Sequence, residues 1–484
     1  MLIDSKYLRQ FLAANIVSII LFVCACWVAW PSSVNKKLYI GNKDVDGIGL
    51  RLDETQITWV VSLLDLGTAV SPLFSSYFIN SIGRKNALLI VSLFFLPTWL
   101  MVWDSTSFTY VCIARFLIGF GKGLSFTAVP VYINEISDHT VRGMLGSSVH
   151  TSMTLGLLFS LCVGPYISYT ALNTIFSVIP LLFLSLFVFM PESPYYYIMK
   201  KNYTAAEKSL RWFRPYDTNI ERNLKAMVDS HERLDKGASY WKMITHRNTI
   251  RPLLIVTVVA FLQRMSGITA LVAYSSTTLP ELSFTWFGPN ECIILFTLLM
   301  TITNFSCASF MDIMGRKLLL CISVSCGIVL MSLFSMYYYV YPKPSHSYID
   351  LIPYVVFVTY GVCFLGMGNV PPTLPSEYFN TSQRTYASAT ASVGFAVGSF
   401  LTSKFYLIVQ RDCGSHVVFL IFAIVHVFYL LVGLFFVQET KGKTLEEIQA
   451  KFYKTRSPTG EDNIAFYKSN STINTIIENN ITKL

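Results

Sequence analysis

Twelve times along this chain an apolar run recurs that is roughly 18 to 25 residues long, enough for a helix to cross a hydrocarbon core of ~30 Å. The runs cover residues 8–30, 56–79, 86–104, 108–134, 143–165, 172–190, 252–279, 290–311, 318–341, 352–376, 386–409 and 415–437. None alternates with period two. Because a backbone in lipid must satisfy its own hydrogen bonds, the runs predict helices rather than a closed barrel. A chain built this way is an integral membrane protein, and its 53% hydrophobic and 13% charged content agree.

Lys and Arg concentrate on the cytoplasmic side of such proteins. Only Lys36, Lys37, Lys43, Arg51, Lys343 and Arg411 fall in the loops of one side, which is therefore expected to face out. Both termini and the polar segment 191–251 are then cytoplasmic, and the plasma membrane is the expected location. Span 1 begins within ten residues of Met1 and reads as a retained signal anchor. The net charge of +9 reads as topology plus contact with anionic lipid, and no basic patch points to nucleic acid. Cysteines 24, 26, 112, 162, 307, 321, 326 and 363 lie inside spans, without metal-site or redox spacing, so no metal and no cofactor is expected. No nucleophile, base and orienting group converge, which argues against an enzyme.

The segment 191–251 divides the chain six spans plus six, and each half carries the same signals in the same order. "NSIGRK" (80–85) follows span 2 and "DIMGRK" (312–317) follows span 8. Glu135 and Arg142 stand seven apart, as do Glu377 and Arg384. "PESP" (191–194) follows span 6 and "QETKGK" (438–443) follows span 12. Partners are offset by 232, 242 and 247 residues, the steady shift of a duplication. The expected organisation is a six-helix bundle over 1–190, a linker with short helices over 191–251, a second bundle over 252–450 and a disordered tail over 451–484. In such a repeat the substrate site lies mid-membrane between the halves.

With "RFLIGFGKG", "VYINEIS", "QRMSG" and "GMGNVPP" added to these motifs, the chain resembles the sugar porter branch of the major facilitator superfamily, in particular insect trehalose and hexose transporters, from about residue 8 to 450. The resemblance implies an all-α fold of twelve transmembrane helices in two pseudo-symmetric six-helix bundles. It also implies facilitative transport of a sugar by alternating access. The expected partners are a small polar solute and the bilayer, and the protein is expected to act as a monomer.

The charged ends Arg84, Glu135, Arg142 and Glu192, with Arg316, Glu377, Arg384 and Glu439 in the second half and Asp312 beside them, are expected to form gating ion pairs between helices. Inward opening would pull those pairs apart. Asn80 and Gln438 depart from the family pattern.

The resemblance places substrate contacts on spans 5, 7, 10 and 11. Its span-7 pattern becomes Gln263, Arg264, Met265, Ser266, Gly267, Ile268 and Thr269, with Tyr274 at an outer-gate position. His150 replaces a Gln on span 5, and Phe395-Ala396 an Asn-Trp pair on span 11. Gln263, Arg264, Thr269, His150, Ser266 and Tyr274 are thus the candidate binding residues, since buried sugar hydroxyls need matching donors and acceptors.

Arg264 is a permanent cation near the middle of span 7, where lipid exposure costs at least ~2.5–3.5 kcal/mol. Asp65, Lys122 and Arg264 lie 13 to 15 residues from their cytoplasmic ends, about 20 Å deep. Asp65 and Lys122 are expected to pair. Arg264 then either faces the cavity or binds span-10 carbonyls freed by Pro371, Pro372 and Pro375. Span 1 lacks an acid between Phe11 and Trp30, which favours uniport over proton coupling. An organic-anion or proton-coupled transporter, or a non-transporting sugar sensor, are the alternatives.

Overall fold

The computed structural model describes residues 5–39, 50–103, 107–138, 140–215, 219–235, 247–280, 287–341, 348–379, 381–443, 447, 448 and 452; the expected tail over 451–484 lies almost wholly outside them. The described secondary structure is helical apart from one isolated bridge between Tyr39 and Leu52. Eleven of the expected spans are long and apolar enough to cross a membrane. The twelfth, span 2, crosses as two helices, Glu54–Val70 and Pro72–Ile82, which meet at Ser71. Span 1 runs to Leu38, beyond the expected 30, because Pro31 is accommodated inside the helix.

Spans 7 and 10 are also broken, at matching depth. Span 7 consists of Arg247–Met265 and Ile268–Thr278, with Gly267 between them at φ +98°. That conformation strains any residue with a Cβ, and the ring of Phe422 would lie 2.5 Å from such a Cβ. Span 10 consists of Ile352–Met367 and Val370–Tyr378. Pro371 and Pro372 have no N–H to continue the ladder, so the backbone turns there.

The duplication is visible in the packing. Span 1 packs on span 5, span 2 on 4, and span 3 on both 4 and 6; in the second half 7 packs on 11, 8 on 10, and 9 on both 10 and 12. Each pair has its counterpart. Between the halves, span 2 packs on 11, span 1 on 7 and span 5 on 8. The glycines of "GFGKG" serve helix approach: a Cβ on Gly119 would stand 1.9 Å from the Leu64 carbonyl oxygen of span 2.

Helices Pro194–Met199, Tyr203–Phe213 and Ile220–Asp235 form the described part of the linker. They sit on the first half, where Gln10 Nε2 donates to the Phe213 carbonyl and Arg214 pairs with Asp138 at 3.3 Å. The end of the bundle carrying these helices is called the linker face below, and the opposite end the far face.

Candidate functional site

At the linker face each half builds the same carboxylate clamp. In the first half Glu192 accepts the backbone N–H groups of Arg84 and Lys85. Glu135 takes the Arg84 guanidinium at 2.8 and 2.9 Å, and the Ser193 hydroxyl donates to Glu135. In the second half Glu439 accepts the N–H groups of Arg316 and Lys317, Glu377 takes Arg316 at 2.9 Å, and the Thr440 hydroxyl donates to Glu377. The glycine of each G-R-K is required by this geometry. Gly83 and Gly315 have φ of +106° and +84°, and a Cβ there would lie 2.3 and 2.6 Å from Glu192 and Glu439 oxygens.

The two clamps differ electrostatically. Burial pushes the Glu192 carboxyl above its usual value despite its backbone donors. Burial also raises Glu439, but the backbone donors of Lys441, Arg316, Lys317 and Thr440 outweigh it and hold that carboxyl below its usual value.

This arrangement corrects the expected gate. The pairs Arg84–Glu135 and Arg316–Glu377 join helices within one half, so separating the halves does not break them. Arg384 donates to the Ser376 carbonyl, and the buried Nε of Arg142 has no hydrogen-bond partner among the described residues. Neither arginine forms an ion pair there with the acids at matched spacing, because Arg84 and Arg316 already occupy Glu135 and Glu377. Asp312 stays exposed at the end of span 8, 3.6 Å from Arg316 at the start of span 9.

Mid-membrane, the breaks in spans 7 and 10 are stapled by side chains. Gln263 Nε2 donates to the Gly368 carbonyl at 2.7 Å, Tyr429 to the Met367 carbonyl, Tyr360 to the Ser266 carbonyl and Thr402 to the Arg264 carbonyl. Carbonyls released by the breaks are thus satisfied inside protein, as lipid requires. It is Gln263, not Arg264, whose side chain takes a span-10 carbonyl.

Most of the neutral groups expected to meet a sugar are committed elsewhere. Ser266 donates to the Gln263 carbonyl, Thr269 bonds Ser399 at 2.7 Å, and Tyr274 donates to the Ser403 carbonyl while stacking on Tyr406. Gln263 keeps one buried, unpartnered atom, Oε1. The Arg264 guanidinium is half-buried, lies 5.3 Å over the Phe395 ring, and its N–H groups have no hydrogen bond to the described residues. His150 is exposed. Asp65 and Lys122 sit 3.5 Å apart, and Arg264 lies within electrostatic reach of both across the boundary between the halves.

Two deep cations carry roles that the sequence reading did not assign. Arg115 is 1% exposed, donates to the Val60 and Trp27 carbonyls at 2.8 Å, and so ties span 4 to spans 1 and 2. Lys404 on span 11 is buried, donates to Thr58 Oγ1 at 2.9 Å, and lies over the Trp59 ring of span 2. A lone lysine within the apolar run of span 11 was the available signal.

Four hydrogen bonds join the two halves among the described residues: Lys404–Thr58, Ser32–Ser275 at 3.1 Å, Asn35 to the Ala273 carbonyl at 3.1 Å, and Tyr166–Glu291 at 2.5 Å. All lie toward the far face. A cavity of about 620 Å³ lies at the far face, with Tyr274, Tyr338, Asn35 and Gln410 in its wall. Among the described residues, the hydrogen bonds between the halves are thus confined to one end.

A family model described as "Sugar (and other) transporter" matches residues 14–452. The chain is 29% identical over 450 residues to "Facilitated trehalose transporter Tret1" of Polypedilum vanderplanki, covering 91% of this chain and 88% of that one. Its likeness to the Tret1 of Aedes aegypti is 28% over 446 residues, and there the chain spans only 55% of the relative's length. Among solved structures, the inward open conformation of the xylose transporter XylE from E. coli superposes with a TM-score of 0.74 at 20% identity, covering 91% of this chain and 98% of that one.

Proposed function

The chain belongs to the sugar (and other) transporter family, and from that premise we propose that it carries a sugar such as trehalose or a hexose downhill across its membrane by alternating access. The observation that supports this most is the asymmetry of the contact between the halves. Their hydrogen bonds lie toward the far face, while the clamps at the linker face each close within one half. Such halves can rock about a fixed mid-membrane site without dismantling either bundle.

On this reading the linker face is cytoplasmic, both termini lie inside, and the structure is the inward-facing state of a plasma-membrane protein that works as a monomer. The two bundles, 1–190 and 252–450, are the rocking bodies, and the linker 191–251 rides on the first. Gln263, Arg264 and His150 are the groups left to meet the solute. Uniport is favoured because span 1 carries no acid between Phe11 and Trp30.

The test is uptake of radiolabelled trehalose and glucose into proteoliposomes containing the full chain, with and without a pH gradient. Saturable uptake that ignores the gradient supports the proposal. Uptake that stops when the gradient is collapsed sinks uniport.

A further inference from the structure

Around the mid-membrane site most neutral side-chain donors on span 7 are committed to protein, while the guanidinium of Arg264 is not. Ser266, Thr269 and Tyr274 are bonded to protein, and the Gln263 amide N–H is spent on Gly368. Asp65 is the acid within electrostatic reach of Arg264, but it is hydrogen-bonded to Lys122. Arg264 is therefore left without an acid of its own, on a guanidinium that the described residues give only the face of Phe395.

Arg264 keeps part of its surface accessible, where solvent makes its charge tolerable. When the halves close around a ligand, that access is lost and an uncompensated charge becomes expensive. A neutral sugar brings hydroxyl acceptors but no charge. A carboxylate brings two oxygens in the plane that a guanidinium fork matches.

We propose, building on the sugar-uniport reading above, that the site accepts an acidic sugar bearing a single carboxylate, a uronate or aldonate, with Arg264 receiving the carboxylate. The Phe395 ring lies over the guanidinium on one side, 5.3 Å from its central carbon, and leaves the remainder of the fork for the ligand. Arg264 is thereby the specificity-determining residue. Neutral hexoses enter the same cavity without that contact.

Glucose and glucuronate differ only at C6, which makes them a matched pair for full-length protein in proteoliposomes. A monoanion moving alone carries charge. An inside-positive potential of about 60 mV, set with potassium and valinomycin, should then concentrate labelled glucuronate about tenfold and leave glucose at equilibrium. Glucuronate should also compete with labelled glucose for wild-type protein, a measurement that needs no variant. Arg264→Gln should lose glucuronate uptake at least tenfold, and Arg264→Lys should keep part of it. If glucose is taken up but glucuronate neither enters nor competes, the acidic-sugar proposal is overturned while sugar uniport stands. If neither compound nor trehalose moves, both fall. Equal glucuronate uptake by wild type and Arg264→Gln also overturns the assignment.

Discussion

The Lys404 ammonium lies 3.7 Å from the centroid of the Trp59 ring, across the boundary between the two halves, with Thr58 Oγ1 accepting its proton at 2.9 Å. A cation over an aromatic face is worth about 0.5–2 kcal/mol and a charged hydrogen bond about 1.5–3. Together these weigh on which face of the transporter is shut.

Lys404→Met keeps the length and apolar bulk of the side chain and removes both interactions. It should shift the equilibrium toward the outward-open state by roughly tenfold, since about 1.4 kcal/mol is one decade. A cysteine placed in the far-face cavity should label faster with an impermeant maleimide in that background. Unchanged labelling would show that Lys404 does not bear on closure.

Gln263→Leu should destabilise the protein by about 1–3 kcal/mol, because the Gly368 carbonyl loses its side-chain donor in a water-poor site. Thermal unfolding in detergent measures this. Gln263→Glu is expected to fare no better, as a carboxylate offers that carbonyl no proton and adds a buried charge.

Gly83→Ala and Gly315→Ala should each lower the melting temperature, through strain of about 1–3 kcal/mol at positive φ plus collision with the clamp carboxylate. Gly146→Ala serves as the control: nothing lies within 4 Å of the added Cβ, and the position is helical. There the change should stabilise by about 0.5–1 kcal/mol.

The two clamp glutamates should answer pH in opposite directions. Glu439 has a depressed carboxyl, so its contribution is present above the ordinary value of 4.5 and fades as pH falls through the depressed one. Glu192 has a raised carboxyl, so its contribution is greatest below the ordinary value and is lost as pH rises through the raised one. At pH 7, Glu439→Gln should therefore cost more melting temperature than Glu192→Gln. The gap should narrow as the buffer is taken toward pH 4.

Twelve spans in two halves were legible in the chain, because bilayer thickness and backbone hydrogen bonding leave so few solutions for apolar runs of that length. The clamps were half legible. Spacing exposed Arg84, Glu135 and Glu192 with their counterparts, but matched spacing also suggested Arg142 and Arg384 as partners for the acids, and only the fold shows the acids already occupied. The mid-membrane site was legible as a set of residue types on span 7, and Asp65 and Lys122 as ions at one depth. Which donors are free was decided by contacts made more than a hundred residues away: Gln263 with Gly368, Thr269 with Ser399, Tyr274 with Ser403. Hydrogen-bond capacity is finite, and a sequence states how much each side chain owns, whereas tertiary packing settles where it is spent.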